Sequence, residues 1–95
     1  MAKGYWVVRV SVRNATQYPG YLEAAKPAFE KYGARFIVRG GRYLATEGVA
    51  RDRNVVVEFN DYDTAIACYH SPEYQVARAI RMAHADADFL IVEGA

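Results

Sequence analysis

The chain has 95 residues and a mass of 10.7 kDa, so we expect a single domain that spans residues 1–95. With 53% hydrophobic and 24% charged residues, its composition is that of a globular protein and excludes an intrinsically disordered chain. Its 12 basic and 11 acidic side chains give a net charge of +1, which argues against nucleic acid and anionic membranes as partners.

The sequence has no pattern typical of export or of membrane insertion. Residues 1–4 lead directly into a strand-like segment, without the apolar stretch and cleavage site of a signal peptide. No apolar run approaches the roughly 18–20 residues that cross a bilayer. The single cysteine, Cys68, excludes an intrachain disulfide and is interpreted as a small buried hydrophobe. We therefore expect a cytoplasmic protein.

Apolar periodicity predicts the first strand and the first helix. Residues 5–12 alternate between a set that contains Trp6 and a set that contains Val7, as a strand with two distinct faces does. A helix is then predicted to begin within residues 14–19 and to end near Tyr32, with Gly33 as its cap. The apolar stripe of this helix consists of Tyr18, Leu22, Ala25, Phe29 and Tyr32.

Two further strands are predicted in the middle of the chain. Residues 34–39 form the second strand, which Gly40 and Gly41 break, and residues 43–46 are a candidate continuation of it. After a polar connection, the β-branched residues of segment 54–59 predict a third strand.

The last third of the chain predicts an interrupted helix and a final strand. The Asn-Asp pair at 60–61 supplies a cap for a helix, and Ser71 followed by Pro72 indicates a second helical start. This second piece is predicted to run to about His84, and residues 89–92 form the last strand.

The predicted order is the βαββαβ pattern of ferredoxin-like α+β folds. We expect a four-stranded antiparallel sheet with two helices on one face.

The opposite face of this sheet should be polar if it meets water, yet it is largely apolar. Its apolar members are Val7, Ile37, Val56 and either Leu90 with Val92 or Phe89 with Ile91. Because large apolar patches are rare on soluble monomers, we predict a homodimer whose two sheets pack as a dimeric α/β barrel. The alternative is a monomer in which this face of the sheet is partly exposed to solvent.

Charged side chains share this second face. We expect the first and third strands to be parallel neighbours, which sets Arg9 beside Glu58, and alternation places Arg39 on the same face. Two interpretations stay open. The charges form a structural ion pair, or they belong to a polar cleft in which arginine orients an anionic or carbonyl ligand.

One glycine-containing motif suggests chemistry beyond packing. The segment Arg39-Gly40-Gly41-Arg42 is typical of a turn or bulge that also holds Arg39 at the mouth of a cleft, whereas RNA-binding arginine–glycine segments occur as repeats. Without a nucleotide-binding glycine motif, we expect no cofactor.

The two histidines give a weaker signal. His84, Asp86 and Asp88 alternate as metal ligands do. Polar residues are nevertheless ordinary where a helix gives way to a strand, so we expect no metal. His84 is a candidate proton carrier, because histidine titrates near neutral pH.

Several segments occur in the same order as in one bacterial family. They are Gly4-Tyr5-Trp6-Val7, residues 32–41, Glu47-Gly48, residues 55–59 and residues 67–74. The sequence resembles the domain of unknown function 1330 over nearly its whole length. That resemblance implies a ferredoxin-like protomer in a dimeric α/β barrel but no established activity, since the wider superfamily contains monooxygenases, isomerases, heme-degrading enzymes and stress-induced proteins.

The resemblance also makes the matching positions candidate cleft residues. They are Arg39, Gly40, Gly41, Glu47, Tyr69, Ser71 and Tyr74, with Arg81 and His84 added from the following helix. We expect Arg39 to anchor a carboxylate or enolate, and Glu47 or His84 to move a proton. The predicted function is to bind or transform a small carboxylate or aromatic molecule in a cleft of each protomer. The alternative is a non-catalytic stress-response or interaction protein whose barrel is a structural dimer.

Overall fold

A computed structural model describes residues 2–95 of the chain and contains four strands and three helices. In chain order these are β1 (Gly4–Val12), α1 (Tyr18–Tyr32), β2 (Arg35–Arg39), β3 (Arg53–Phe59), α2 (Tyr62–His70), α3 (Pro72–His84) and β4 (Ala85–Glu93). The strands form one sheet in the order β2-β3-β1-β4, and every neighbouring pair is antiparallel. The predicted α+β order of elements is confirmed.

Side-chain caps explain where the helices after β3 begin. The Asp61 carboxylate accepts a hydrogen bond of 2.7 Å from the Thr64 amide at the start of α2. Ser71 ends α2 and caps α3, and Pro72 fits the first turn of α3 because its missing N–H has no partner there anyway. The predicted interruption of the second helix at Ser71 is therefore confirmed.

The first helix ends as predicted, but its buried stripe differs from the predicted one. Gly33 adopts a left-handed conformation with φ 66° at the end of α1, where its amide bonds to the carbonyl of Phe29. The buried residues of α1 are Tyr18, Tyr21, Ala25 and Ala28. Leu22 is 37% exposed, because the face that packs on the sheet is rotated toward Tyr21.

Two strand predictions need correction. Residues 43–46 do not continue β2 and belong to an exposed connection. The last strand begins at Ala85 instead of residue 89, directly where α3 ends. Asp86 and Asp88 obscured its start, because these exposed aspartates belong to the outward-facing row of a longer strand.

The predicted neighbourhood of Arg9 and Glu58 is wrong. Strands β1 and β3 are antiparallel, so Arg9 lies opposite Asn54, and Glu58 lies opposite Tyr5. The reason is topological: β1 and β2 are joined through a helix and run in the same direction, and β3 lies between them and runs in the opposite direction. Arg9 instead faces Asp88, with its Nη2 atom 3.9 Å from a carboxylate oxygen.

One core joins the helices to alternate positions of the strands, and Trp6 is at its centre. Its ring lies 4.7–6.2 Å, centroid to centroid, from the rings of five other aromatic residues. These are Phe29, Phe59, Tyr69, Tyr74 and Phe89. The indole N–H donates a 2.9 Å hydrogen bond to the carbonyl of Ala65 in α2. The polar atom of the largest core side chain is thereby satisfied.

The other side of the sheet, which we call the outer face, remains largely apolar. The register settles the alternative in β4: Leu90 and Val92 lie opposite Val7 and Tyr5 on the outer face, whereas Phe89 and Ile91 pack against the core. Leu90 is 53% exposed and Val92 is 42% exposed. No helix among residues 2–95 has the length and hydropathy needed to span a membrane.

Candidate functional site

A bulge in β2 decides where Arg39 lies. Phe36 pairs with Val57 and Val38 with Val56, so Ile37 is the extra residue, and Arg39 then pairs with Val55. Because Val55 is buried under the helices, the bulge places Arg39 on the helix side of the sheet. The expectation that Arg39 shares the outer face with Ile37 is wrong, since simple alternation fails across a bulge. Its guanidinium carbon lies 4.1 Å from the ring centroid of Phe36.

A cleft runs between α1 and the sheet, and we call it the α1 cleft. Its inner part is a cavity of about 30 Å³, mostly apolar, with two arginines in its wall. The inner lining consists of Trp6, Val8, Val10, Tyr18, Tyr21, Leu22, Phe29, Phe36, Arg53, Val55, Val57 and Arg81. Its outer part is a groove of about 310 Å³ lined by Leu22, Glu23, Lys26, Phe29, Phe36, Arg39 and Arg53. Four residues line both parts, so the cavity and the groove are neighbours that share a wall.

Arg53 lines both parts of the α1 cleft and was not among the site residues predicted from the sequence. Its Nε atom is buried without a hydrogen-bond partner, and no ion pair among residues 2–95 includes it. Gly40 makes room for it, because a Cβ on that glycine would lie 2.7 Å from Nη1 of Arg53. Gly40 also has φ +64° and donates its amide to the carbonyl of Asn54 at 2.8 Å. The glycine motif was therefore a signal for Arg53 as well as for Arg39.

Arg81 lies at the inner end of the cleft and is only 5% exposed. Its Nε atom has no hydrogen-bond partner, and the ion pairs of the described residues do not include it. Its guanidinium packs over the rings of Tyr21 and Phe89, at 5.9 and 5.4 Å from their centroids. Burial acts to lower the pKa of Arg81. Tyr74, Tyr21 and Tyr69 act in the opposite direction, and together they raise the pKa above its ordinary value. Arg81 is therefore a charged group enclosed without a carboxylate.

Two buried tyrosines join the helices beside Arg81. The hydroxyls of Tyr21 and Tyr74 lie 2.9 Å apart and form a hydrogen bond. Burial raises the pKa of Tyr21 well above its ordinary value, and the neighbouring Tyr74 raises it further. Burial also raises the pKa of Tyr18, and the positive Arg53 acts in the opposite direction. These phenols are neutral hydrogen-bonding groups in the wall of the cleft.

A second cavity lies on the other side of Arg81, and we call it the arginine cavity. It measures about 410 Å³ and is lined by Arg51, Tyr69, Arg78, Arg81, Met82, Ala85, Asp86, Ala87 and Phe89. Nε of Arg78 donates a 2.9 Å hydrogen bond to the hydroxyl of Tyr69. Tyr69 thus lies in this cavity, whereas Tyr74 is fully buried beneath it.

The remaining predicted residues lie away from both cavities. The hydroxyl of Ser71 accepts the Tyr74 amide at 3.2 Å and donates to the carbonyl of Cys68 at 2.6 Å, as a helix cap does. Gly41 and Glu47 lie in the exposed connection between β2 and β3. His84 ends α3, and its carbonyl accepts the amides that follow β1. The structure therefore does not bring Glu47 or His84 beside Arg39.

The described residues contain no group of three His, Cys, Asp or Glu side chains that could hold a metal ion. Asp86 lies 3.2 Å from Nε of Arg13, and Asp88 lies 2.9 Å from Nε of Arg51. Cys68 is fully buried, and burial raises the pKa of its thiol to about 12. Its position fits the predicted buried hydrophobe and does not fit a nucleophile.

These features define a class of protein: an α+β protein with a ferredoxin-like fold and a helix-side cleft. The chain belongs to the family described as Domain of unknown function (DUF1330), whose model matches residues 3–95, and the resemblance found in the sequence is confirmed. No protein with a curated description matches the chain by sequence.

Solved structures share this fold at low sequence identity. RPA0582, a protein of unknown function from Rhodopseudomonas palustris, is 19% identical with a TM-score of 0.78, over 96% of this chain and 81% of that chain. SnoaB, a cofactor-independent oxygenase from Streptomyces nogalater, is 12% identical with a TM-score of 0.66, over 97% and 92%. A dimeric protein of unknown function and ferredoxin-like fold from Bacteroides fragilis is 14% identical with a TM-score of 0.58, over 96% and 95%.

Proposed function

We propose that the protein is a homodimer of single-domain protomers, each of which binds a small organic anion, a carboxylate or an aromatic acid, in its α1 cleft. The observation that carries this proposal is the pair of arginines, Arg53 and Arg81, in a mostly apolar cleft without a carboxylate partner. A cation removed from water without a counter-ion is costly, and an anionic ligand supplies that counter-ion.

The charges at the mouth of the cleft support the same ligand class. Glu23 is the one acidic residue in the lining of the groove, and its carboxylate lies 3.1 Å from the ammonium of Lys26. Arg39, stacked on Phe36, adds an unopposed positive charge with a flat surface beside it. Guanidinium groups bind planar carboxylates through two parallel hydrogen bonds, so an aromatic acid matches both the charge and the apolar wall.

The dimensions of the cleft indicate how such a ligand is placed. The inner cavity of about 30 Å³ holds roughly one water-sized group, whereas the outer groove of about 310 Å³ has the volume of a small-molecule site. The ligand's body therefore occupies the groove, and its anionic group reaches Arg53. Because Glu47 and His84 lie outside this space, we assign binding to the cleft and no catalytic role to any residue.

A thermal-shift screen of small aromatic and aliphatic carboxylates tests this proposal. A ligand at 100 times its dissociation constant should stabilise the wild type by about 2.7 kcal/mol. The stabilisation should be lost in Arg53→Met and reduced in Arg39→Ala. The matched control is Arg42→Met, in the exposed connection, which should respond like the wild type. A carboxylate that stabilises Arg53→Met as much as the wild type would refute the assignment.

The homodimer part of the proposal rests on the outer face. Val38, Leu90 and Val92 are each more than 40% exposed there, and half-buried Val7 and Val56 lie between them. An ion pair between Arg35 and Glu58 at 3.0 Å closes one end of this patch, and the Arg51–Asp88 pair closes the other. An apolar centre with a charged rim is the anatomy of a protein interface. The Bacteroides fragilis protein with this fold is itself described as dimeric, which supports a dimer without indicating the face that forms it.

Sedimentation velocity tests the dimer directly. We expect twice the chain mass for the wild type at micromolar concentration and the monomer mass for Leu90→Arg and Val56→Asp. Leu90 is already half exposed, so its variant should fold even if Val56→Asp does not. The control is Val76→Asp on α3, which is 64% exposed on the helix side of the protomer. Dimers that persist in a folded Leu90→Arg protein would exclude the outer face as the contact.

One observation favours the alternative of a non-catalytic stress-response or interaction protein. The inner cavity is too small for an organic molecule, so the cleft accepts a ligand only through its outer groove. A screen without a stabilising ligand, together with an intact dimer, would select this alternative.

A further inference from the structure

We propose that the arginine cavity is a second binding site, separate from the α1 cleft, for a doubly charged oxyanion such as the phosphoryl group of a small molecule. The cavity has three guanidinium groups and one carboxylate in its lining. That carboxylate, Asp86, is engaged by Arg13 at 3.2 Å from outside the cavity. Arg51 is paired with Asp88 at 2.9 Å, so the positive charge that no carboxylate of the described residues neutralises belongs to Arg78 and Arg81.

Arg81 indicates a ligand because its charge is buried and no carboxylate of the described residues pairs with it. The side chain is 95% removed from solvent, its Nε atom has no partner, and it stacks on Phe89 in the cavity wall. Folding encloses this cation at a cost, which a bound anion offsets.

The other two arginines are positioned by contacts that leave them in the wall. Nε of Arg78 bonds to the Tyr69 hydroxyl at 2.9 Å, and its guanidinium carbon lies 6.0 Å from the centroid of the same ring. Arg51 donates from Nε to Asp88 at 2.9 Å and from Nη1 to the Ser11 hydroxyl at 3.0 Å. Each guanidinium carries five donors, so donors remain on both after these contacts.

A doubly charged oxyanion fits this set better than a single carboxylate. Three planar guanidinium groups present more donors than two carboxylate oxygens accept, whereas a phosphoryl group offers three oxygens and about two negative charges. The volume of about 410 Å³ exceeds that of the anion alone and leaves room for a small body against the rings of Tyr69 and Phe89. The balanced net charge of +1 argues for a small molecule instead of a nucleic acid.

The two proposed sites share Arg81, and each also has an arginine of its own, Arg53 in the α1 cleft and Arg78 in the arginine cavity, so variants of these two residues distinguish the sites. Variants of Arg53 should weaken organic acids without affecting phosphate. Variants of Arg78 should do the reverse.

Titration with inorganic phosphate, followed by phosphorus NMR and by thermal shift at constant ionic strength, tests the proposal. We expect saturable binding to the wild type, sulfate as a competitor, and no effect of chloride. Arg78→Met should bind phosphate about tenfold or more weakly, since a charge-assisted hydrogen bond is lost, and Arg78→Lys should retain part of the affinity. Arg42→Met is the control with one positive charge removed elsewhere.

Three outcomes would overturn the assignment. The first is a wild type that does not bind phosphate. The second is an Arg78→Met protein that binds phosphate as the wild type does. The third is a single-stranded oligonucleotide that binds far more tightly than phosphate and with strong salt dependence, which would identify a nucleic-acid surface instead.

Discussion

Gly40 and Arg53 are in close contact: a Cβ on Gly40 would lie 2.7 Å from Nη1 of Arg53, so the end of the arginine side chain would have to move. The glycine also has φ +64°, a backbone conformation that other residues adopt only with strain. The turn at Gly40 and the arginine at the start of β3 are thus in direct contact. The arginine is part of the wall shared by the two parts of the α1 cleft.

Gly40→Ala should therefore lower both stability and ligand binding. We expect a loss of roughly 1–3 kcal/mol in the free energy of unfolding from backbone strain, with Arg53 displaced from the cleft. Urea unfolding measures the first effect, and the thermal-shift response to a carboxylate measures the second. Gly41→Ala is the matched control, because nothing lies within 4 Å of a Cβ there and its φ is not positive. Equal behaviour of the two variants would contradict this account.

Ser71→Ala should affect stability and leave ligand binding unchanged. The hydroxyl caps α3 and bonds back to the end of α2, so its loss should cost about 1 kcal/mol. Urea unfolding of the variant measures this cost, and Ser71→Thr should recover part of it because threonine keeps a hydroxyl that can both cap the helix and donate to the Cys68 carbonyl. A selective loss of carboxylate or phosphate affinity, without loss of stability, would instead make Ser71 a ligand-binding residue.

Cys68 should be unreactive in the folded protein. Its side chain is fully buried, and burial raises the pKa of the thiol to about 12 from 9.0. A disulfide reagent at about pH 8 should modify it only when urea unfolds the chain. Because the folded-state pKa is the higher one, the thiol's contribution to stability is complete below pH 9 and declines as pH rises from about 9 toward 12. Rapid labelling of the native protein would disprove the enclosed position.

Glu58 should make stability depend on acid pH. The Arg35 guanidinium, 3.0 Å from its carboxylate, lowers the pKa of Glu58; burial opposes this shift, and the Tyr5 hydroxyl supports it. Because the folded-state pKa is the lower one, the stabilisation is complete well above the unfolded value of about 4.3 and is lost as pH falls below it. The wild type should exceed Glu58→Gln in stability at about pH 7 and lose that advantage at about pH 3.

Urea unfolding at several pH values measures this difference. The control is Glu30→Gln on the exposed surface of α1, which should change stability little at either pH. A stability difference between wild type and Glu58→Gln that grows as the pH falls would contradict a lowered pKa for Glu58 in the folded protein.

Local sequence patterns predicted the helix ends and the turn near the site, but not the side of the sheet on which Arg39 lies. Ser71 followed by Pro72 and Gly33 after a helix have local causes, so the sequence alone located both helix ends. The arginine–glycine–glycine segment was correctly seen as a turn or bulge. A separate bulge at Ile37, before this segment, nevertheless reversed the side of the sheet on which Arg39 lies.

Arg53 was missed because its importance is not local. It follows a polar connection, and nothing in its immediate sequence distinguishes it from other surface arginines; the Gly40 signal becomes visible only through the contact in the folded chain. Its half-buried position against Gly40, with the Nε atom enclosed, arises only when β2 and β3 pair. The same holds for Arg51, Arg78 and Arg81, which come from two separate parts of the chain and meet in one cavity.

By itself, the sequence determined the kinds and order of the elements, the family, and the existence of two apolar sides to the sheet, since periodicity and capping act over a few residues. Only the tertiary structure decided that β1 and β3 are antiparallel, which side of the sheet Arg39 takes, and which arginines are enclosed without a carboxylate. These outcomes depend on strand register and on packing between distant segments. A shift of one residue in register reverses the direction of every side chain that follows it.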